Sequence, residues 1–204
     1  VYTGHPVMQR YESAPTYKQA REVMGFQKDD EVLGLLLGSR HGELKKHLNM
    51  FLDVVAHSMS VDTKVIVPTL PHLKERVTEA IVERFDKTAR FMIVDNVSQQ
   101  ATYFKSMDKA LAVSGTVGLE LAVAGVPHVV GYRANPVTAM IVKRMVRTEY
   151  AHLANIILEK EIVPEFIQKE CNIDELKYQL DNLNLKNQID HFKVLRKILK
   201  TEKV

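Results

Sequence analysis

The 204-residue sequence has one cysteine, Cys171, and no tryptophan. A single thiol excludes an intrachain disulfide framework and fits a reducing compartment. Charge of one sign is scarce too, with 28 Lys and Arg against 25 Asp and Glu, a net of +3. That is too little for a polyanion binder, so no nucleic-acid partner is expected. CxxC, HExxH and paired His–Cys clusters are missing, and no zinc site is expected. Also absent are the GxSxG elbow, the GxxxxGK[ST] phosphate loop, GxGxxG and DxD. The eight histidines are scattered, and His5 and His72, each beside a proline, read as structural. The chain opens Val1-Tyr2-Thr3-Gly4-His5-Pro6, without an initiator Met, a basic n-region or an apolar h-region. No signal peptide is expected, and the start reads as a cut within a longer chain.

What the sequence does have is an ordinary globular composition, 46% hydrophobic and 26% charged, enough to bury a core. One long apolar stretch, Ala110 to Tyr132, has Glu120 as its only charged residue. It is long enough to span a bilayer, for which about 20 residues suffice. Four glycines and Pro127 interrupt it, however, and Glu120 near the bilayer centre would cost roughly 2.5 kcal/mol or more. Two buried strands flanking a short helix fit better.

Elsewhere, short apolar runs alternate with helical periodicity. Strands are expected at Val32 to Leu37, Lys64 to Val67, Arg90 to Val94, Leu111 to Val113 and His128 to Gly131. Helices are expected at Glu43 to Ser58, Leu73 to Phe85, Gln99 to Ser106, Val117 to Ala124 and Val137 to Arg147, with a mostly helical remainder after Pro164. This pattern predicts an α/β fold, a Rossmann-like parallel sheet with helices on both faces. The expected organisation is a lead-in at 1–30, a nucleotide-binding domain at 31–170 and C-terminal helices at 171–204. Ligands of such sheets bind at the carboxyl ends of the strands. That directs attention to Gly38-Ser39-Arg40, Pro68 to Pro71, Asp95-Asn96, Ser114-Gly115-Thr116 and Tyr132-Arg133.

Ser114-Gly115-Thr116-Val117-Gly118-Leu119-Glu120 joins a strand to a helix through hydroxyls and a glycine. Helix N-terminal N–H groups aimed at the crevice would suit a phosphate, and Glu120 could accept two ribose hydroxyls. The same residues also read as a plain helix cap, with Ser114 or Thr116 capping and Glu120 closing a capping box. In the second strand–helix turn, Arg40 offers a forked cation for phosphate between Gly38 and Gly42. The alternative there is an ordinary turn with a surface Arg. Tyr132 and Arg133 suit base stacking or phosphate contact at a strand end. Lys143, Arg144 and Arg147 read either as part of that site or as a solvated helix face.

Taken in order, Leu36 to Arg40, Ala112 to Glu120, Val130 to Arg133, Leu153 to Ile157 and Val163 to Gln168 resemble the lipid-A-disaccharide synthase family. Thr3-Gly4-His5-Pro6 resembles that family's interdomain segment. Two positions depart from the family pattern, Leu37 and Ala154, where proline is usual. The resemblance implies the C-terminal half of a two-domain GT-B glycosyltransferase that needs no metal or other cofactor. The implied reaction transfers a 2,3-diacylglucosamine unit from UDP-2,3-diacylglucosamine to 2,3-diacylglucosamine 1-phosphate, with inversion and release of UDP. It implies a donor site of Gly38, Ser39, Arg40, Ser114, Gly115, Thr116, Glu120, Tyr132, Arg133, Lys143, Asn155 and Gln168. It also implies a catalytic base in a separate N-terminal domain, so none is named in this chain.

The implied setting is the cytoplasmic face of a Gram-negative inner membrane, as a peripheral protein and possible homodimer. Met140 to Arg147, and a C-terminal segment containing Lys193, Arg196, Lys197, Lys200 and Lys203, have the mixed basic and apolar character of interfacial helices. Each also reads as an ordinary packed or solvated helix. The C-terminal helices are expected either to cross to the N-terminal domain or to exchange between protomers. The alternatives to this activity are another UDP-sugar GT-B enzyme and a UDP-binding module without turnover.

Overall fold

Short, continuously apolar strands have no polar face to offer water, so both faces of their sheet must be covered. The computed structural model, which describes residues 6–133 and 150–201, shows such a sheet. Its strands are β1 (Val32–Leu36), β2 (Lys64–Pro68), β3 (Phe91–Val94), β4 (Lys109–Ala112), β5 (His128–Tyr132) and β6 (Glu165–Ile167). They lie in the order β3-β2-β1-β4-β5-β6, and every pair is parallel. Helices α3 (His41–Ser58), α4 (Pro71–Arg84), α5 (Gln100–Lys105) and α6 (Thr116–Ala124) connect successive strands. Before them come α1 (Pro6–Glu12) and α2 (Tyr17–Met24), and after them α7 (Leu153–Leu158), α8 (Ile173–Asp181) and α9 (Leu185–Thr201).

Side chains alternate across the sheet with period 2, so each strand feeds two cores. Leu33, Leu35 and Leu111 pack with Phe51 and Leu52 of α3, Ile81 of α4 and Leu176 of α8. On the opposite face, Leu36 and Ala112 meet Phe104 and Leu121, and Val130 meets Leu119, Phe192 and Leu195. The strand order reverses direction between β1 and β4. In this topology the crevice at the carboxyl ends of those two strands is the ligand position. The stretch Ala110 to Tyr132 resolves into strand, short helix and strand, as its glycines and Pro127 predict. No helix among the described residues is long and apolar enough to cross a membrane.

The structure departs from the sequence expectation in two places. Residues 165–167, expected within a helical remainder, form β6 at the sheet edge, where Val130, Gly131 and Tyr132 of β5 pair with them. Three residues are too short to show a period. Residues 1–30, expected as a lead-in, carry two helices that pack on the domain. Thr16 and Gln19 form a capping box at the start of α2, and Gly25 at φ 75° ends it. Arg21, buried, pairs with Asp108 at 3.1 Å and donates to the carbonyls of Gln27 and Asp30. At the other end, Cys171, Leu176 and Leu180 join the same core as β1, and α9 packs on α6. The expected helix over 137–147, with Lys143, lies outside the described residues.

Two buried histidines fix the far side of α6. His128 Nδ1 faces the Val126 carbonyl at 2.8 Å, and His152 Nδ1 accepts from Ala154 N at 3.1 Å. His152 Nε2 therefore carries the proton donated to His128 Nε2, 3.0 Å away, and both rings are neutral. The pair sits so close to α6 that a Cβ on Gly118 would collide with the His152 ring. Burial holds His128 down to about 4, and burial and then His128 push His152 well below the usual histidine range. The unfolded chain, titrating near pH 6.5, binds these protons first. Stability is therefore expected to fall as pH drops from about 6.5 towards 4, at up to about 1.4 kcal/mol per unit for each histidine. Urea midpoints at pH 7, 6 and 5 check this; a flat profile would refute it.

Candidate functional site

The loops after β1, β2, β3 and β4 enclose a cleft of about 460 Å³ at the predicted switch point, within the size range of small-molecule sites. Gly38, Ser39, Arg40, Ser114, Gly115, Thr116 and Glu120 all line it. Seven of the twelve residues expected in the site are thus brought together from two turns that are far apart in sequence.

The Gly38 turn owes its shape to a residue that spacing alone did not single out. Glu43, in the first turn of α3, accepts from Ser39 N at 3.1 Å and from Arg40 Nη1 at 3.0 Å. Gly38 sits at φ 91°, and an added Cβ would lie 2.6 Å from Glu43 Oε2 and 3.2 Å from Val113 Cγ2. Gly38→Ala is accordingly expected to cost about 1–3 kcal/mol in a urea unfolding experiment, through backbone strain and the displaced carboxylate. An unchanged midpoint would show that the turn tolerates a side chain.

At the second turn, Gly115 is the N-cap of α6 and no side chain caps that helix. The capping-box reading of Ser114, Thr116 and Glu120 is thereby set aside. Thr116 is the first helical residue, and Glu120 lies too far along α6 to close a box. The N-cap of α3, Arg40, makes no side-chain cap bond either. Two helix N-termini thus open on one cleft, each with the partial positive charge that attracts an anion.

Glu120 is the most constrained member. Its Oε1 accepts from Arg10 Nη1 at 3.0 Å and its Oε2 from Gln100 Nε2 at 2.7 Å, while Arg10 also donates to Gln100 Oε1 at 2.8 Å. Burial raises the Glu120 carboxyl above its usual range, and the Arg10 charge and the two hydrogen bonds oppose that rise. Arg10, on α1, and Gln100, on α5, are partners that sequence spacing could not reveal, since they lie 110 and 20 residues away. Asp95 and Asn96 complete the rim, as strand-end loops should, and Asp95 pairs with Lys74 at 3.1 Å.

The remaining expected residues fall elsewhere. Tyr132 ends β5 and Arg133 follows it, one strand beyond the cleft wall. Tyr132 stacks on His47 at 5.5 Å, Arg133 N donates to His47 Nε2 at 2.8 Å, and Arg133 Nε donates to the Cys171 carbonyl at 2.8 Å. Gln168, at φ 59°, follows β6 and donates its backbone N–H to the Tyr132 carbonyl at 2.8 Å. Asn155 is fully buried and spends its whole amide within the chain. Its Oδ1 accepts from Ile162 N and Val163 N, both at 2.9 Å. Its Nδ2 donates to the Val163 carbonyl at 2.7 Å and to Glu165 Oε1 at 2.8 Å.

A crevice at the strand switch point, walled by two helix N-termini, an Arg and a partly buried carboxylate, lies where doubly wound domains take their ligands. Comparison with solved structures narrows the class. The fold is shared by a glycosyltransferase involved in lipopolysaccharide biosynthesis, WaaG, with a TM-score of 0.62 at 16% identity, over 98% of this chain and 50% of that one. It is shared too by Acinetobacter baumannii MurG, with a TM-score of 0.58 at 16% identity, over 91% and 49%. The fold is that of one half of a GT-B glycosyltransferase.

The family model for lipid-A-disaccharide synthetase matches residues 1–203. The lipid-A-disaccharide synthase of Rhodospirillum centenum is 38% identical over 185 residues, 89% of this chain and 45% of that protein. The Rickettsia bellii enzyme is 33% identical over 92% of this chain and 48% of its own length. The chain belongs to the lipid-A-disaccharide synthase family, and it spans about half the length of these curated relatives.

Proposed function

We propose that this chain is the donor-binding half of an inverting glycosyltransferase. The whole enzyme would move a 2,3-diacylglucosamine unit from UDP-2,3-diacylglucosamine to 2,3-diacylglucosamine 1-phosphate and release UDP. The observation that carries this reading is the convergence of the Gly38–Arg40 and Ser114–Thr116 turns on one cleft with Glu120 at its wall. In the proposed complex Arg40, the Ser114 and Thr116 hydroxyls and the N–H groups opening α3 and α6 meet the charge that grows on the departing diphosphate. Glu120 accepts from the ribose hydroxyls. Positive potential from these groups lets the site work without a resident metal. Tyr132, Arg133 and Gln168 lie at the carboxyl ends of β5 and β6, beyond the cleft wall, where they would extend the donor site past the diphosphate. Asn155 serves by bracing the loop before β6.

In this reading the acceptor and its base belong to a separate N-terminal domain, and the assembled enzyme works peripherally at the cytoplasmic face of the inner membrane. Calorimetric titration of UDP in excess EDTA tests the core of the proposal. Saturable binding, weaker for 2′-deoxy-UDP than for UDP, is expected. No binding, or binding only with an added divalent cation, would overturn it. Preference for UDP-N-acetylglucosamine over the diacylated donor would favour a different UDP-sugar enzyme.

A further inference from the structure

A second cavity, of about 550 Å³, opens between α1, α5, α6 and α9 and shares no lining residue with the first. Four cations, Lys105, Arg196, Lys197 and Lys200, and one carboxylate, Glu12, line it beside Met8 and Val123. Part of this charge has a local reason. Lys105 Nζ donates to the Ala124 carbonyl at 2.7 Å and Arg196 Nη1 to the Val123 carbonyl at 3.4 Å, so both close the C-terminal end of α6.

That end carries only about half a negative charge, whereas two half-buried cations converge on it. Burial and then the neighbouring Arg196 push the Lys105 ammonium below its usual range, and burial does the same to Arg196. Among the described ion pairs none neutralises Lys105, Arg196 or Lys200. The cavity therefore concentrates positive charge that the fold does not balance, with a forked guanidinium and two ammonium groups around one space. A tetrahedral dianion matches that donor set, since Arg offers paired hydrogen bonds and Lys a point charge.

We propose that this cavity binds a phosphate group, held by Lys105, Arg196 and Lys200. Two sources share that chemistry: a free phosphate, and a lipid headgroup whose apolar body would lie along Met8 and Val123. The test uses the 204-residue chain carrying Arg40→Ala, which weakens any hold of the first cleft on phosphate. Inorganic phosphate and water-soluble dihexanoyl phosphatidate are titrated separately by calorimetry. Saturable binding in the millimolar range or tighter is expected for at least one. Tighter binding of the phosphatidate assigns a lipid headgroup, and equal or tighter binding of phosphate assigns the free anion. Lys105→Gln/Arg196→Gln is expected to weaken either by about tenfold or more. Lys200→Glu, exposed and outside the α6 cap, should weaken it several-fold with the fold intact, so the proposal stands or falls even if the double variant unfolds. Binding of neither ligand, or equal binding in Lys200→Glu, would overturn it.

Discussion

Arg40→Ala is expected to weaken UDP binding by about tenfold to a hundredfold, or about 1.4–2.8 kcal/mol. Charge-assisted hydrogen bonds to phosphate account for a loss of that size. A second contribution comes from Glu43. Its carboxylate is held by Arg40 at 3.0 Å. Without the guanidinium it faces an incoming diphosphate uncompensated. The double variant Arg40→Ala/Glu43→Gln should therefore bind UDP better than Arg40→Ala alone. The Arg40 side chain is 81% exposed, so its pair with Glu43 contributes little to stability, and the urea midpoint should hardly move. Calorimetry on the three proteins separates these effects. Equal affinities in wild type and Arg40→Ala would remove Arg40 from the site.

Asn155→Ala is expected to behave in the opposite way. Its amide satisfies two backbone N–H groups, one carbonyl and Glu165, and the residue is fully buried. Each orphaned buried group costs about 1–3 kcal/mol, so a total loss of about 3–5 kcal/mol is expected by urea denaturation. UDP affinity of the protein that remains folded should stay within about twofold of wild type. A variant with normal stability and poor UDP binding would instead put Asn155 at the donor, the role the family resemblance implies for it.

These two residues mark what the sequence could and could not show. The strand–turn–helix junctions at Gly38 and Ser114 were legible, because apolar runs ending in small residues have a local cause. Their meeting in one cleft followed from the parallel topology, which places every such junction at the same sheet edge. Glu120 was legible as an isolated carboxylate in an apolar stretch. Its restraint by Arg10 and Gln100 was not, since contacts between α1, α5 and α6 leave no periodic trace. Asn155 came into view only through the family resemblance. Whether its amide turned to a ligand or to its own backbone depended on the loop at 159–164, whose course has no repeating pattern. β6 escaped notice because three residues cannot display an alternation.

The placement of β1 has a bearing on how the chain acquires its shape. β1 is central, yet its second neighbour is β4, so Leu33 waits for Lys109 while β2 and β3 are already made. During synthesis the chain spends the interval with one long flank of its most apolar strand unpaired, a template for pairing with another molecule. Asp108 accepts from Val32 N at 2.7 Å while holding Arg21, so its arrival latches that flank just as β4 closes it. Expression halted before residue 108 should accordingly yield aggregates, and expression extended through 133 should release the chain from them.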